Sequence, residues 1–301
     1  MRRTRRSMLG LGAAAVAAAA LGARRARASA DETVRESVYN YVIVAREGPV
    51  VSFRRLENGA AISAIDLSRP SYQVVPYTKY LFAPALVAPD PKQVLSIGLG
   101  AGAFNRLFAL AWPEATLTSV EIDPMIRDLA VEFTQFEEGA RNRVVIEDGR
   151  RFLRRSGARW DWIVIDAFVR NSQYPPHLAT AEFFALVADH LTEGGLLVIN
   201  VISGNRLFDC LVATIAAGFA GCVVFAAPGT ANVVVLASAG ARGLLEAVRA
   251  GAPPAWPLLE AGNVDLSRLR LAAAAPGPLA CARTLTDDFS PTEFLGAQWA
   301  K

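Results

Sequence analysis

Three glycines and one glutamate are the residues of this sequence whose spacing points most directly to chemistry. Gly98, Gly100 and Gly102 follow a short apolar run, and the segment after them has the pattern of a helix. Glycines let the backbone approach a ligand closely, and the start of a helix offers free N–H groups. Glu121 stands twenty-one positions after Gly100, where its carboxylate could accept both hydroxyls of a ribose. The spacing predicts nucleoside binding; the alternative is a plain strand-to-helix turn.

Three further carboxylates fall where predicted strands end. Asp123 closely follows Glu121, Asp148 follows the third predicted strand, and Asp166 follows the fourth. Ligands of parallel sheets lie beyond the carboxyl ends of the strands, and Asp148 could accept a hydrogen bond from an adenine amino group. The alternative for each aspartate is capping of the next helix, which is strongest for Asp123 because Pro124 follows it. Four carboxylates on one edge are more than capping needs, so we expect a ligand site there.

Strands and helices alternate through the middle of the chain. The predicted strands are 94–98, 117–121, 143–147, 160–166 and 195–202, and the predicted helices lie near 103–111, 124–135, 149–155, 180–191 and 206–219. Two further β runs, 222–226 and 232–237, leave no room for a helix between them, so they must pair antiparallel. The pattern predicts an α/β protein with a methyltransferase-type Rossmann fold, in which a seven-stranded, mostly parallel sheet ends in an antiparallel hairpin.

A smaller β-rich region precedes this sheet. Apolar runs between Ser37 and Asp66, separated by turn signals that include Asn58-Gly59, predict an antiparallel sheet of three or four strands. A helix is predicted from Tyr77 to Leu86. The predicted division is a signal segment (1–30), an N-terminal β-hairpin domain (31–75), a Rossmann-like nucleoside-binding domain (76–240) and a C-terminal extension (241–301). Within the extension, 251–278 has no assignable pattern.

The composition excludes several classes of protein. With 52% hydrophobic and 20% charged residues, the chain is globular and has a sizeable core. Seven arginines near the N-terminus contribute more positive charge than the net charge of +3, so the rest of the chain is mildly acidic. It therefore lacks the basic surface typical of nucleic-acid-binding proteins. Two histidines, and three cysteines without metal spacing, predict no metal site. The odd cysteine number argues against a disulfide framework, and Cys210 and Cys222 lie in apolar contexts typical of core residues.

Residues 1–28 have the features of an export signal. Arg5 and Arg6 precede an alanine-rich segment that is too short to span a bilayer, and small residues around Ala28 offer cleavage sites. We therefore expect export to the periplasm by the twin-arginine route, with no membrane span in the mature chain. The alternatives are a basic extension on a cytoplasmic protein and an uncleaved membrane anchor.

Taken together, the motifs resemble the spermidine synthase family of polyamine aminopropyltransferases over about residues 37–238. The resemblance is carried by Pro91-Lys92-Gln93-Val94-Leu95, the glycine loop, Val120-Glu121-Ile122-Asp123, Asp148-Gly149-Arg150-Arg151-Phe152-Leu153, Trp160-Asp161-Trp162-Ile163-Val164-Ile165-Asp166 and Gly194-Gly195-Leu196. It implies a nucleoside site that includes Asp148 and Gly149, with Asp166 as the catalytic residue. It also implies decarboxylated S-adenosylmethionine or S-adenosylmethionine as co-substrate, no metal, and a small-molecule amine as acceptor. A homodimer is compatible with it.

Three positions depart from the family pattern. The family's glycine loop carries an aspartate that faces the amine end of the nucleoside ligand, and here that position is Ala101. Thr78 replaces a glutamine that follows the helix tyrosine. Val169 replaces the second of two aspartates after the fourth strand, the one that takes a proton from the attacking amine, whereas Asp166 retains the first. The pattern looks like the divergent spermidine-synthase-like branch, whose substrates do not follow from the motifs.

Four further residues are candidates for the substrate pocket: Tyr77, Tyr174, Asp287 and Asp288. The two tyrosines could equally be packing residues, and the two aspartates could fold back over the site as replacement carboxylates. His177 could act as a general base at neutral pH. The alternative for His177 is a loop residue that leads into a helix capped by Thr180.

The sequence leaves three functions open. The leading interpretation is aminopropyl transfer, in which an amine attacks the carbon next to the sulfonium and methylthioadenosine leaves. One alternative is methyl transfer from S-adenosylmethionine on the same scaffold. The other is a non-catalytic homologue that binds a nucleoside or a polyamine. A dehydrogenase is the weakest reading, because the terminal hairpin and Asp148-Gly149 disagree with a dinucleotide-binding fold.

Overall fold

The computed structural model describes residues 32–55, 59–169, 174–240, 243–250, 257–266, 270–274, 283–292 and 295. The predicted signal segment lies outside these residues, so export stays a prediction. Within the described part of the chain, no helix is both long enough and apolar enough to cross a membrane.

A four-stranded antiparallel sheet forms the N-terminal part of the protein; the sequence predicts the antiparallel sheet, but its first strand lies before the predicted region of Ser37 to Asp66. Its strands are β1 (Glu32–Glu36), β2 (Tyr41–Glu47), β3 (Val50–Arg54) and β4 (Ala61–Asp66), paired in that order. The inner face of the sheet buries Val44 and Phe53 against Leu99 of the glycine loop and Leu129 of a following helix. This sheet is therefore packed directly onto the loop predicted to bind the nucleoside.

A buried 3₁₀ helix at Pro76–Leu86 connects the two sheets and confirms the predicted helix. Pro84 lies inside it and has no N–H to donate to the helix. Tyr77 and Leu81 of this helix are buried, and the helix contacts two strands of the larger sheet.

The larger sheet contains five parallel strands and an antiparallel part. The parallel strands are β5 (Gln93–Ile97), β6 (Thr116–Glu121), β7 (Asn142–Ile146), β8 (Trp160–Ile165) and β9 (Leu191–Ile202). The hairpin of β10 (Gly221–Ala226) and β11 (Asn232–Ser238) pairs with β9 through β11. The predicted mostly parallel sheet with a terminal antiparallel hairpin is confirmed.

An eighth strand, β12 (Arg270–Ala274), extends this sheet beside β10, giving the order β12-β10-β11-β9-β8-β5-β6-β7. The sequence did not predict it, because alanine is depleted in strands and the segment has no clear alternation. Tertiary pairing with β10 decides its conformation.

Seven α-helices lie in the described part of the chain and cover both faces of the sheet. They are α1 (Ala103–Ala111), α2 (Pro124–Thr134), α3 (Gly149–Arg155), α4 (Ala181–Asp189), α5 (Arg206–Gly218), α6 (Leu244–Ala250) and α7 (Pro257–Ala261). Because both faces are covered, the central strands are apolar throughout, and Ile163, Val164 and Ile165 are all fully buried.

The order of the parallel strands reverses between β5 and β8. The chain runs from β5 to β6 and β7 on one side, and then returns to β8 on the other side of β5. In such sheets the crossover connections diverge at the reversal and leave a crevice beyond the carboxyl ends of the strands. The fold therefore places the ends of β5, β6 and β8 around one opening.

Cysteine chemistry differs from the expectation. Cys210 on α5 is 2% exposed, as expected of a core residue, but it is disulfide-bonded, although the odd cysteine number argued against a disulfide framework. An odd cysteine number leaves one thiol over, but it does not prevent a pair. Cys222 is a free thiol whose pKa burial raises to about 12, which keeps it in the unreactive protonated form. Cys281 lies outside the described residues.

Candidate active site

A cleft of about 1100 Å³, counting the part open to solvent, lies at the carboxyl ends of β5, β6 and β8. Predicted site residues that line it are Gly98, Gly100, Glu121, Asp148, Gly149, Asp166 and Tyr77. Predicted site residues that do not line it are Gly102, Asp123, Tyr174, Asp287 and Asp288. The tertiary structure thus brings the first group of residues together around one cleft, and the second group lies outside the cleft wall.

The glycine loop after β5 depends on its glycines for close approach. Gly98 has φ +104°, and a Cβ there would lie 2.3 Å from the backbone oxygen of Asp166. At Gly102, with φ +77°, a Cβ would lie 2.5 Å from the ring of Phe136. Gly98 therefore lets β5 and the loop after β8 meet at the cleft. Gly102 serves the packing behind the loop and begins α1, so its contribution to the ligand site is indirect.

Glu121 at the end of β6 supports the glycine loop from within the cleft. Its Oε2 accepts the backbone N–H of Leu99 at 3.0 Å, and its Oε1 accepts that of Asp123 at 3.0 Å. Burial raises the pKa of Glu121 to about 7, although both N–H bonds oppose this shift. A carboxylate oxygen can accept more than one hydrogen bond, so Glu121 retains acceptor capacity toward the cleft.

Asp148 and His177 form a pair at another part of the cleft wall. Oδ1 of Asp148 caps α3 by accepting the N–H of Arg151 at 2.8 Å, and Oδ2 lies 2.6 Å from Nε2 of His177. Burial alone would raise the pKa of Asp148, but the bonds from His177 and Arg151 leave it below its usual value. Gly149 beside it packs closely, since a Cβ there would lie 2.5 Å from Ile97.

His177 therefore belongs to the Asp148 side of the cleft. Its role as a general base remains a prediction, while the capping of the next helix by Thr180 is seen directly at 3.2 Å to the N–H of Phe183. Asp148, for which the sequence left capping and ligand binding open, both caps α3 and lines the cleft.

Asp166, after β8, is held by two donors from distant parts of the chain. Its Oδ2 accepts the hydroxyl of Tyr77 at 2.9 Å, and its Oδ1 accepts Nδ2 of Asn200 at 2.8 Å. Oδ1 of Asn200 in turn accepts Nδ2 of Asn232 at 3.0 Å. Burial raises the pKa of Asp166, and the two donated hydrogen bonds reduce that rise. The network fixes the carboxylate in one orientation at the cleft wall.

Asp123 does not line the cleft, and its carboxylate makes structural contacts. Its Oδ1 caps α2 at the N–H of Met125, and its Oδ2 accepts the Ser37 hydroxyl at 2.6 Å and the Asn40 amide at 2.8 Å. The side chain is fully buried and joins the N-terminal sheet to the Rossmann part. The capping alternative describes this residue.

Tyr174 and the two C-terminal aspartates also lie away from the cleft wall. Tyr174 is 3% exposed and packs edge-on against Phe168, where burial raises its pKa well above the usual value. Asp287 makes a two-pronged ion pair with Arg150, with both distances 2.7 Å, and accepts the Thr180 hydroxyl at 2.7 Å. Asp288 is exposed. These aspartates do not replace a cleft carboxylate; Asp287 fastens the C-terminal segment to α3 and α4.

The three departures from the family pattern have distinct surroundings. Ala101 is fully buried beside the N-terminal sheet, and Thr78 at the cleft wall donates its hydroxyl to the carbonyl of Val75 at 2.7 Å. Val169 lines the cleft. Among the described residues of the cleft wall, the carboxylates are those of Glu121, Asp148 and Asp166.

Sequence reasoning missed Ser63 and Asn200. Ser63 comes from β4, and its Oγ accepts the N–H of Ala101 at 2.9 Å, so it sits on the glycine loop. Nothing in the local sequence of β4 marks this contact. Asn200 did carry a signal, since it is a polar residue within the otherwise apolar run of β9. In the described part of the chain, no cluster of three or more potential ligands could hold a metal ion.

The strand order places this protein in the methyltransferase fold class, with a cleft at the carboxyl ends of β5, β6 and β8. Residues 76–205 match the model of the spermine/spermidine synthase domain. The chain is 30% identical over 184 residues to a polyamine aminopropyltransferase of Chromobacterium violaceum, covering 61% of this chain and 70% of that protein. The chain therefore belongs to the spermine/spermidine synthase family.

Other comparisons agree with this assignment. A polyamine aminopropyltransferase of Vibrio vulnificus is 34% identical over 157 residues, which cover 51% of this chain and about half, 52%, of that protein. The crystal structure of a probable spermidine synthase from Corynebacterium glutamicum superposes with a TM-score of 0.61 at 21% identity, covering 75% of this chain and 90% of that one. At that identity, the structural likeness supports the fold.

Proposed function

We propose that this protein is a transferase that binds a sulfonium nucleoside in the cleft and moves an alkyl group from it to the nitrogen of an amine acceptor. The observation that carries the proposal is the convergence of Glu121, Asp148 and Asp166 on one cleft around the glycine loop. Glu121 would accept the ribose hydroxyls, Asp148 the adenine amino group, and Asp166 would stand at the reacting end. The names of the relatives, polyamine aminopropyltransferases, support the same reaction class.

The chemistry requires a nucleophilic nitrogen and a proton acceptor. The acceptor nitrogen forms a bond to a carbon next to the sulfonium, while the bond between that carbon and sulfur breaks. The bonding electrons return to sulfur, and the nucleoside leaves as a neutral thioether. The attacking nitrogen loses one proton, which Asp166 would accept. Its raised pKa suits this role, because a more basic carboxylate accepts a proton more readily.

The acceptor in this proposal is an amine other than putrescine. A diamine carries two positive charges near neutral pH, since alkylammonium pKa values are about 10. Val169 at the cleft wall supplies neither a charge to pair with the second ammonium nor a base. Among the described residues, Asp166 is thus the carboxylate that is available to an amine at the reacting end of the cleft.

Methyl transfer is the second candidate reaction on the same site. It is favoured by Ala101, because the glycine loop lacks the carboxylate that the family uses at the amine end of the nucleoside. With S-adenosylmethionine as donor, the transferred carbon would be the methyl group and the product S-adenosylhomocysteine. Aminopropyl transfer would instead release methylthioadenosine.

Product analysis tests the proposal and separates its two forms. Purified protein would be incubated with each sulfonium nucleoside and a panel of amines, and the released thioether identified by mass spectrometry. We expect one of the two thioethers with wild type and neither with Asp166→Asn, whose nucleoside affinity should persist. Binding without product would indicate a non-catalytic homologue, and calorimetry without binding of either thioether would contradict the proposal.

We also propose that the protein is exported to the periplasm. The support is the arginine pair of the N-terminal segment together with the disulfide at Cys210. Disulfides form and persist in oxidising compartments such as the periplasm and are rare in the cytosol. The disulfide at Cys210 on α5 therefore supports export to the periplasm.

A further inference from the structure

Three segments of the chain wall the end of the cleft that holds Asp166, which we call the acceptor end. They contribute residues 62 and 63 of β4, residues 77, 78 and 81 of the 3₁₀ helix, and residues 166–169 after β8. The hydroxyl of Tyr77 lies 3.1 Å from the carbonyl oxygen of Ile62 and 2.9 Å from Oδ2 of Asp166. Because one hydroxyl contacts the other two segments, the three segments meet around Asp166.

The acceptor end has one carboxylate among the described residues, that of Asp166. The next carboxylate along the sequence is Glu182, which is on α4 and does not line the cleft. The two other carboxylates of the cleft wall have partners elsewhere, since Glu121 accepts N–H groups of the glycine loop side and Asp148 pairs with His177. A ligand with one positive charge therefore matches the charge of the acceptor end.

The neutral polar groups of the acceptor end already have partners. Tyr77 donates its hydroxyl to Asp166, and Thr78 donates its hydroxyl to the carbonyl of Val75 at 2.7 Å. Ser63 accepts the N–H of Ala101 at 2.9 Å. A second ammonium group on an acceptor would lose water here without gaining a carboxylate, and burial of an unpaired charge is strongly unfavourable.

The remaining wall of the acceptor end is apolar. It consists of Ile62, Leu81, Ala167, Phe168 and Val169. The ring of Phe168 stands edge-on against the buried ring of Tyr174, with ring centroids 5.8 Å apart, and this contact holds the Phe168 ring in the wall. Apolar surface thus begins directly beside the carboxylate that would accept the proton of the attacking nitrogen.

We propose that the acceptor substrate is a monoamine whose carbon arm is apolar, and not a diamine or longer polyamine. The neutral nitrogen of this amine forms a bond to the transferred carbon, and the bond between that carbon and sulfur breaks with its electrons returning to sulfur. One proton of the nitrogen passes to Asp166, and the carbon arm packs against Phe168 and Val169. This inference rests on the proposed function and names the substrate class of the same site.

Putrescine and n-pentylamine form a pair that tests the inference, because they have the same number of non-hydrogen atoms and differ in whether the far end is an ammonium or a methyl group. Each would be supplied to the intact protein with each sulfonium nucleoside, and kcat/KM measured from thioether release. We expect kcat/KM for n-pentylamine to exceed that for putrescine at least about tenfold, since the methyl group needs no partner. From n-propylamine to n-pentylamine, each added methylene should raise kcat/KM by up to about fourfold, the factor for burying one CH₂ group.

The possible outcomes separate this inference from the proposed function. Equal kcat/KM for the two amines, or a preference for putrescine, overturns the monoamine assignment and leaves the transferase intact. No thioether from any amine with either nucleoside overturns both.

Variants of Val169 test whether the wall of the acceptor end sets the preference. Val169→Asp should reverse the preference in favour of putrescine by supplying a partner for the second ammonium, whereas Val169→Asn should not. Val131→Asp is the matched control, because Val131 on α2 is 48% exposed and does not line the cleft. It should leave the ratio of the two kcat/KM values unchanged. The same shift of that ratio in Val169→Asp and Val131→Asp would refute the assignment of Val169 to the acceptor end.

Discussion

The hydroxyl of Tyr77 lies 2.9 Å from Oδ2 of Asp166, although 89 positions separate the two residues in the chain. The 3₁₀ helix carries Tyr77 across the end of the parallel sheet, and β8 delivers Asp166 to the same point. Burial and the nearby carboxylate raise the pKa of Tyr77 well above its ordinary value, so its hydroxyl remains a donor. The pair therefore holds the carboxylate that the proposed reaction uses as a base.

Removal of this donor should change the pH dependence of turnover. Asp166 accepts a proton only when ionised, so activity should rise with pH through its raised pKa. Tyr77→Phe deletes a bond that lowers this pKa, so the rising limb should move to higher pH and turnover at neutral pH should fall about tenfold. Thr78→Val is the control, because the Thr78 hydroxyl bonds to Val75 and not to Asp166. A pH profile that is unmoved in Tyr77→Phe would separate Tyr77 from the base.

Glu121 should be needed for nucleoside affinity. Hydrogen bonds to a charged acceptor contribute roughly 1.5–3 kcal/mol each, so Glu121→Ala should weaken methylthioadenosine binding at least about tenfold by calorimetry. Because the pKa of Glu121 is about 7, wild-type affinity should increase from pH 6 to pH 8 as the carboxylate ionises. Glu121→Gln cannot ionise and should lose this increase. Unchanged affinity in a folded alanine variant would remove the basis for the ribose contact.

Putrescine should be a poor acceptor. Purified protein supplied with decarboxylated S-adenosylmethionine and putrescine should form little spermidine or methylthioadenosine, because Val169 provides no carboxylate. Val169→Asp should raise putrescine turnover at least about tenfold if the missing base is the cause, whereas Val169→Asn, of equal size but without charge, should not. Efficient spermidine formation by wild type would refute this prediction.

The ion pair of Arg150 with Asp287 should stabilise the C-terminal segment. Arg150 holds the pKa of Asp287 at about 2, below its usual value, so this stabilisation is present above about pH 4 and is lost as the pH falls through about 2. Asp287→Asn should lower the free energy of unfolding at pH 7 by about 1 kcal/mol, a figure discounted because the carboxylate is 40% exposed. It should also increase hydrogen exchange around Thr180.

Asp288→Asn is the matched control for this ion pair. Asp288 is the neighbouring residue and is exposed, so its substitution should change stability by less than about 0.5 kcal/mol. Urea denaturation of the two variants at pH 7 and at pH 3 compares them directly. Equal effects of the two substitutions would assign no stability to the contact with Arg150.

Export should depend on the arginine pair. A reporter fused to residues 1–35 should reach the periplasm, and Arg5→Lys with Arg6→Lys should retain it in the cytoplasm. Arg2→Lys with Arg3→Lys changes the same number of charges outside the pair and should leave export intact. In protein recovered from the periplasm and denatured, Cys222 should react with an alkylating reagent at once, and Cys210 only after reduction. Continued export of the first double variant would show that another feature is the signal.

The sequence by itself determined most strands, most helices and the positions of Glu121 and Asp148, but not β12. Their signals are local: apolar runs of strand length, glycines before a helix, and a carboxylate where a strand ends. Because parallel strands end at one edge, local position along each strand suffices to place these residues around one cleft. The same local signals favoured capping most strongly at Asp123, which Pro124 follows, but they could not decide between capping and ligand binding at either Asp123 or Asp148.

Tertiary structure decided the contacts between residues that are far apart in the chain. Asn200 reaches Asp166 across 34 positions, Ser63 reaches the glycine loop across 38, and Asp287 reaches Arg150 across 137. No local periodicity encodes which distant side chain fills a given place, because that depends on strand order and on how the two sheets pack. The physical cause is that a buried polar group needs a hydrogen-bond partner. Only the assembled fold determines which distant residue lies close enough to be that partner.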